Sequence, residues 1–147
     1  MVLLVPLDLS PDTDLILAQV VALAAPNKDQ VFLVHVADPD PAFVGYEAGP
    51  DVVRDHVADT MRHEHKAIQQ HAEALREQGI DTTALLVQGP TVDSILAEVL
   101  KRNADMIIMG SHGHGAMHNL LLGSVSEGVI RHTLCPILLV PSRTQAD

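Results

Sequence analysis

Short unbroken apolar runs alternate along the chain with longer segments in which apolar residues recur at helical spacing. Each of five such runs has the length and continuous hydrophobicity of a parallel strand that is covered on both faces. These runs are residues 2–7, 31–36, 83–88, 105–110 and 136–141. The alternation predicts βαβ units built around a parallel sheet.

Four helices are predicted between the strands. Ser10 followed by Pro11 has the form of an N-cap with proline at the first helical position. Gly79 follows a long apolar stripe, at the place where helices favour glycine. The predicted helices are residues 11 to about 25, residues 51–78, a segment spanning residues 92–100, and residues 124 to about 132.

The order of these elements predicts an α/β fold, a doubly wound five-stranded parallel sheet within a single domain, residues 1–147. Right-handed crossovers favour the strand order 3-2-1-4-5. Ligands of such sheets bind beyond the carboxyl ends of the strands where the order reverses, here the first and fourth. Residues 38–50, rich in Pro, Gly and acid, interrupt the pattern and are expected to form a mobile surface loop.

Residues 109–124, "MGSHGHGAMHNLLLGS", follow the fourth predicted strand and contain four glycines, three histidines and no carboxylate. Gly110, Gly113 and Gly123 with Ser124 give the spacing G-x2-G-x9-G-S. Glycines let a backbone turn several N–H groups toward one anion, and Ser124 would begin a helix whose N-terminus also favours negative charge. The segment is therefore a candidate phosphate site, although strand-end turns alone would also explain the glycines.

Charge makes the same segment distinctive. The chain carries 19 acidic and nine basic residues, a formal net charge of −10, yet no Asp or Glu occurs from residue 106 to residue 126. A small anion would not be repelled there. The overall acidity, with two Phe, one Tyr and no Trp, argues against nucleic acid as a partner.

Other phosphate signatures fail, because the chain has neither G-x4-G-K-[ST] nor a complete G-x-G-x-x-G. "HGHG" has the wrong spacing for the H-x-G-H of nucleotidyl transferases. Cys135 is the single cysteine, which excludes an internal disulfide and favours a cytoplasmic location. The first residues have no basic segment and no small-residue cleavage site, and no apolar run is long enough to span a bilayer, so neither secretion nor membrane insertion is expected.

Nine histidines raise the question of a metal site. The loop histidines lack Cys and carboxylate partners, so we expect no metal held by side chains. The histidines of the long helix do not form H-E-x-x-H; His65 is expected to pack partly buried and the others to face solvent. The histidines concerned are His112, His114 and His118 in the loop and His56, His63, His65 and His71 in the helix.

No catalytic residues are assigned. Ser124 and Ser126 lack the G-x-S-x-G elbow, and Cys135 directly precedes a proline at a strand start, where an inert thiol is expected.

The chain resembles the ATP-binding branch of the universal stress protein family. The likeness is carried by "MIIMGSHGHGAMHNLLLGSVSEGVIRHTLCPILLVP", with the G-x2-G-x9-G-[S/T] signature and the closing C-P-x-L-x-V strand, and by "LLVPLDLS" and "VHV" nearer the start. It spans the whole chain and is weakest from residue 38 to residue 79.

The resemblance implies an adenine nucleotide, ATP or else ADP or AMP, with Mg²⁺ held through phosphate oxygens and water. Asp8 would then bind the ribose hydroxyls, although Asp8 also suits a simple strand-end turn. The base and sugar would be lined by Pro6, Leu7, Val36, Met109 and Gly110. The phosphates would meet Gly113, Gly123, Ser124, Val125 and Ser126, with His114 standing where many relatives have Arg or Lys.

The last predicted strand, which begins at Pro136 and ends at Pro141, is apolar and lies at the sheet edge. Pairing with the same strand of a second copy would cover that edge, and the resemblance implies such a homodimer. The favoured hypothesis is a dimeric, ATP-binding regulator or sensor in a stress response with an unidentified protein partner. A nucleotide-independent scaffold of the same fold and a slow ATP hydrolase remain alternatives.

Overall fold

The computed structural model describes residues 1–37, 50–112 and 122–142. All five predicted strands and all four predicted helices are present, with bounds that differ from the predicted ones by a few residues. Along the chain they are β1 (Val2–Pro6), α1 (Thr13–Asn27), β2 (Gln30–Ala37), α2 (Pro50–Glu77), β3 (Asp81–Gln88), α3 (Thr91–Arg102), β4 (Met106–Gly110), α4 (Ser124–His132) and β5 (Ile137–Val140). The predicted surface loop lies outside the described residues as far as residue 49.

The strands form one parallel sheet in the order β3-β2-β1-β4-β5, which confirms the predicted order 3-2-1-4-5. Each crossover between neighbouring parallel strands passes through a helix, as the βαβ pattern requires. The order reverses beside β1, so the carboxyl ends of β1 and β4 meet at the expected switch point.

Helices cover both faces of the sheet, and side chains of β1 alternate between two cores. On one face Leu3 and Val5 pack in a buried cluster with Val20 of α1 and Ile68 of α2. On the other face Leu4 packs in a cluster that includes residues of α3 and α4. Because β1 is covered on both sides, it has the continuous apolar sequence of a central parallel strand.

The start of α1 differs from the predicted start. The helix begins at Thr13 with Asp12 as its N-cap residue, not at Pro11 after Ser10. Ser10 instead opens a turn that the Thr13 N–H closes by donating to the Ser10 carbonyl at 3.0 Å. Proline suits the second position of such a turn as well as it suits the first turn of a helix, so the dipeptide alone does not distinguish them.

The edge strands are less buried than the prediction of strands covered on both faces implies. In β5 only Val140 is buried, while Ile137, Leu138 and Leu139 are half-buried. Leu134, just before β5, is fully exposed. Within the described ranges, none of the helices has the length and apolar character needed to cross a membrane.

Candidate functional site

β1 ends short of β2 at the carboxyl edge of the sheet. The β1–β2 ladder stops at the pair of Pro6 with Val34. The β2–β3 ladder continues three residues further, to the pair of Ala37 with Gln88. Among the described residues, the end of β2 therefore has no strand beside it on the β1 side.

β1 also separates early from β4. Their ladder stops at the pair of Leu4 with Ile107, whereas the β4–β5 ladder continues to the pair of Gly110 with Val140. A gap consequently opens above the end of β1, between the longer strands β2 and β4. We call this gap the notch; Leu7 and Asp8 form its floor, and Val36 and Gly110 lie at its sides.

Pro6 explains why β1 leaves β4. The Leu7 N–H donates to the Val34 carbonyl at 2.8 Å, which directs residue 7 toward β2. Successive residues of a strand direct their main-chain groups to opposite sides, so residue 6 faces β4. Proline has no N–H to donate, and the ladder to β4 cannot continue there.

The floor of the notch is a tight, strained turn. The Asp8 carboxylate accepts a hydrogen bond from the Ser10 N–H at 3.0 Å, which is the alternative role of a strand-end turn residue; the ribose role stays a prediction. Leu9 between them has φ 59°, a left-handed conformation that is costly for a residue with a side chain. Asp8 is half-buried and is held in this turn at the floor of the notch.

The wall on the β4 side leaves little room for a side chain at Gly110. A Cβ atom at Gly110 would lie 3.2 Å from the His112 carbonyl oxygen and 3.4 Å from Ile16 Cδ1 of α1. The backbone therefore approaches closely at this point, as glycine permits. Met109 beside it is buried. Because Gly110 has no side chain, the main chain of β4 itself forms this side of the notch.

The first turn of α4 is fastened to the end of β4. The Gly123 N–H donates to the Ser111 carbonyl at 2.8 Å. The Ser126 hydroxyl donates to the Gly110 carbonyl, also at 2.8 Å. These two bonds hold the N-terminus of α4 against the notch.

Three N–H groups at this terminus have no partner within the helix. The first intrahelical bond runs from the Glu127 N–H to the Gly123 carbonyl at 2.9 Å, so the N–H groups of Ser124, Val125 and Ser126 precede the ladder. The Ser126 hydroxyl is already engaged with the Gly110 carbonyl, whereas the Ser126 N–H has no partner among the described residues. Gly123 has φ −73° and ψ 160°, values open to any residue, so the expected need for a special glycine backbone does not apply at this position.

The surroundings of this helix terminus suit an anion. No carboxylate occurs from residue 106 to residue 126. The next acid, Glu127, forms an ion pair with Arg131 at 2.7 Å on the exposed side of α4. The helix dipole is therefore not opposed by an unpaired negative side chain in this segment.

The structure brings together most residues of the predicted site. Those around the notch are Pro6, Leu7, Asp8, Val36, Met109, Gly110, Gly123, Ser124, Val125 and Ser126. Gly113 and His114 lie outside the described residues. The site residues described so far are mostly buried or half-buried, with Ser124 exposed.

Two histidine predictions are wrong. His65 is exposed, not packed, and His71 is half-buried, not solvent-facing. The place on the apolar stripe between Met61 and Ile68 is taken by Glu64, which turns toward the sheet. In the parts of the chain that the structure describes, no group of three or more His, Cys, Asp or Glu is arranged to hold a metal; His114 and His118 lie outside them.

Glu64 and its partner His35 are the polar residues near the notch that sequence reasoning missed. The His35 ring Nδ1 lies 2.8 Å from the Leu7 carbonyl, and its Nε2 lies 3.4 Å from Oε2 of Glu64. A signal was present in the sequence, since a lone carboxylate at a stripe position opposite a histidine in a buried strand calls for a partner.

Comparison with known proteins finds related sequences and structures. Residues 1–141 match the model of the universal stress protein family. A universal stress protein of Thermus aquaticus is 33% identical over 112 residues, covering 76% of this chain and 77% of that protein.

Solved structures show the same fold. Hypothetical protein MJ0577, a universal stress protein of Methanocaldococcus jannaschii, superimposes with a TM-score of 0.82 at 26% identity, covering 98% of this chain and 97% of that chain. A universal stress protein from Archaeoglobus fulgidus, solved in complex with dAMP, has a TM-score of 0.64 at 17% identity, covering 95% of this chain and 97% of that chain.

Proposed function

The chain belongs to the universal stress protein family, and from this premise we propose that it binds ATP or another adenine nucleotide in the notch. The observation that carries the proposal is the N-terminus of α4. Its first three N–H groups have no partner among the described residues and lie beside the switch point in a segment without carboxylates. Helix termini of this kind bind phosphate groups through N–H donors and the helix dipole.

The base and sugar occupy the β1 side of the notch in this proposal. Pro6, Leu7 and Met109 are buried and Val36 is half-buried, an apolar lining suited to an adenine ring. The Asp8 carboxylate accepts hydrogen bonds from the ribose hydroxyls while it keeps its bond from Ser10. A carboxylate has acceptor sites enough for both.

The phosphates extend toward α4. The N–H groups of Ser124, Val125 and Ser126 donate to them, and the Ser124 hydroxyl, on an exposed residue, adds a further donor. Gly110 lines the sugar and Gly123 lies beside the phosphates. The proposal also gives phosphate contacts to Gly113 and His114, which lie outside the described residues. Mg²⁺ would be held by phosphate oxygens and water, since this ion needs few protein ligands.

The A. fulgidus protein solved with dAMP supports an adenine nucleotide as the ligand class in this family. We propose a regulatory role: nucleotide occupancy alters the surface of a cytoplasmic sensor in a stress response and so its affinity for a protein partner. The lone Cys135 suits a reducing compartment.

Calorimetric titration with ATP and Mg²⁺ tests the ligand. We expect saturable heat at one site per chain and a higher unfolding temperature with ATP, because a ligand of the native state stabilises it. GTP should bind more weakly if the base is recognised by the notch. Absence of both heat and stabilisation would refute nucleotide binding and favour a scaffold that works without nucleotide; phosphate release that a Ser124→Ala variant loses would instead favour slow hydrolysis.

We also propose a homodimer through the edge strand β5. Its residues Ile137, Leu138 and Leu139 are only half-buried, and Leu134 before it is fully exposed. Antiparallel pairing of two copies across a two-fold axis would satisfy the free edge and cover this apolar surface. Light scattering at micromolar concentration should give twice the mass of the chain, and a Leu138→Lys variant should give the mass of a monomer.

A further inference from the structure

His35 lies at the end of β2, on the face of the sheet that α2 covers. Its ring Nδ1 is 2.8 Å from the carbonyl oxygen of Leu7, the residue before Asp8. Its Nε2 is 3.4 Å from Oε2 of Glu64 in α2. His35 is 8% exposed, and the two facing atoms, Nε2 and Oε2, are both buried without another hydrogen-bond partner in the described part of the chain.

The chemistry of the two contacts limits the proton positions. A carbonyl oxygen only accepts, so Nδ1 must carry a hydrogen to bond Leu7. In a neutral ring Nε2 then has a lone pair that faces the carboxylate oxygen, and the two acceptors repel. One proton between Nε2 and Oε2 removes the conflict, since an imidazolium donates both to Leu7 and to Glu64.

Loss of that proton forces a choice. A neutral imidazole has one N–H and can bond either the Leu7 carbonyl or the Glu64 carboxylate, not both. The His35 ring faces Glu64 of α2 and the carbonyl of Leu7, which directly follows β1. Its register partner on β3 is the apolar Leu86. Asp8 is the nearest titratable group along the chain beyond Leu7.

The bond to Leu7 acts on the floor of the notch. β1 leaves the β2 ladder after Leu7 donates to Val34. The His35 ring bonds the Leu7 carbonyl at the same point and so holds the chain just before Asp8. Movement of Leu7 would turn Asp8 away from its position on the floor of the notch.

We propose that His35 and Glu64 form a protonated positioning pair that sets Leu7 and Asp8, so that affinity for the base and ribose end of a nucleotide falls when the pair loses its proton. This inference rests on the proposed nucleotide site and names its regulation. Neither residue touches the nucleotide; both act through the Leu7 carbonyl.

The test compares the native chain with Glu64→Gln. A glutamine amide donates to a ring lone pair or accepts from a ring N–H, so the bond from Nδ1 to Leu7 persists in either charge state. Glu77→Gln removes the same charge from an exposed position in the last turn of α2 and is the matched control. Adenosine serves as the probe because it lacks phosphates. Its affinity therefore does not depend on the charge of histidines near the proposed phosphate site.

We expect adenosine affinity of the native chain and of Glu77→Gln to fall about three- to tenfold from pH 6 to pH 9, the loss of roughly one hydrogen bond. Affinity of Glu64→Gln should stay constant over this range. Parallel pH profiles for the native chain and Glu64→Gln would overturn the proposal.

Nuclear magnetic resonance gives a readout that needs no ligand. The amide signals of Leu7 and Asp8 should shift with the same midpoint as the His35 ring, and this shift should disappear in Glu64→Gln. If the amide signals of Leu7 and Asp8 do not change together with the His35 ring, the positioning role is refuted. Coupled amides in a chain that binds neither adenosine nor ATP would leave the pair established and refute the nucleotide site alone.

Discussion

Two helices begin at the same edge of the sheet, and their first turns differ in charge. α1 starts beside Asp8, Asp12 and Asp14. Two of its first three N–H groups are engaged, because the Thr13 N–H donates to the Ser10 carbonyl and the Leu15 N–H to the Asp12 carbonyl. α4 starts in a segment without carboxylates and leaves three N–H groups outside its ladder.

In the proposed nucleotide complex, this difference favours opposite ends of the ligand on the two sides of the notch. Carboxylates accept from hydroxyl donors and repel phosphate, so the α1 side suits a sugar. Unengaged N–H groups and the positive end of a helix dipole suit phosphate, so the α4 side suits an anion. A nucleotide has both ends, and a sugar or a free phosphate alone would use only half of the notch.

The largest effect is expected when α4 is made to resemble α1. Ser124→Asp adds a carboxylate at the first position of α4 and should cost nucleotide binding about 2–3 kcal/mol through repulsion of phosphate, a loss of roughly 30- to 150-fold in ATP affinity. The free protein should gain about 0.3–1 kcal/mol of stability, because a carboxylate favours a helix N-terminus.

Thr91→Asp is the matched control for this variant, because Thr91 holds the same first position in α3. Its ATP affinity should stay near that of the native chain. Calorimetry measures the ATP affinity of both variants, and thermal unfolding measures their stability. If the Ser124→Asp variant binds ATP as tightly as the native chain, α4 does not bind the phosphates.

The second effect is on the sugar side. Asp8→Ala removes the ribose acceptor and should lower nucleotide affinity by about 1.5 kcal/mol, roughly tenfold. The variant should also lose the preference for adenosine over its 2′,3′-dideoxy analogue, measured by competition. Asp14→Ala, an exposed acid in the first turn of α1, should retain that preference.

A smaller effect is expected at the hydrogen bond that joins the first turn of α4 to the end of β4. Ser126→Ala leaves the Gly110 carbonyl without its hydroxyl donor and should destabilise the fold by about 1–2 kcal/mol, with a few-fold loss of ATP affinity. Ser124→Ala removes an exposed hydroxyl and should leave the stability of the free protein nearly unchanged. Equal unfolding midpoints in urea for the two variants would contradict the fastening role of Ser126.

The smallest effect of the nucleotide is expected at Cys135, which precedes β5 at the amino ends of the strands, away from the notch. Burial raises the pKa of the Cys135 thiol, and the nearby negative charge of Asp105 raises it further. Its thiolate fraction near pH 7 is therefore below that of a free cysteine. Alkylation by iodoacetamide should be slow at neutral pH and should accelerate as the pH rises toward the raised pKa. Saturating ATP should leave the rate unchanged; strong protection would mean that the ligand's effect is not confined to the notch.

Much of the fold could be predicted from the sequence because its signals are local. Continuous apolar runs and helical stripes are properties of neighbouring residues, and right-handed crossovers limit how they assemble. The strand order, the switch point and the acid-free segment before α4 all followed from such patterns.

What the sequence alone left open depends on contacts between distant segments. Pro6 shortens the β1–β4 ladder only because residue 6 faces β4, and register decides that. Ser10 closes a turn instead of capping α1, since the same dipeptide suits both. Glu64 rather than His65 turns toward the sheet because its carboxylate meets His35 across 29 residues of chain. Periodicity specifies which face of an element is buried, whereas the partner that a buried polar group finds there is decided by packing.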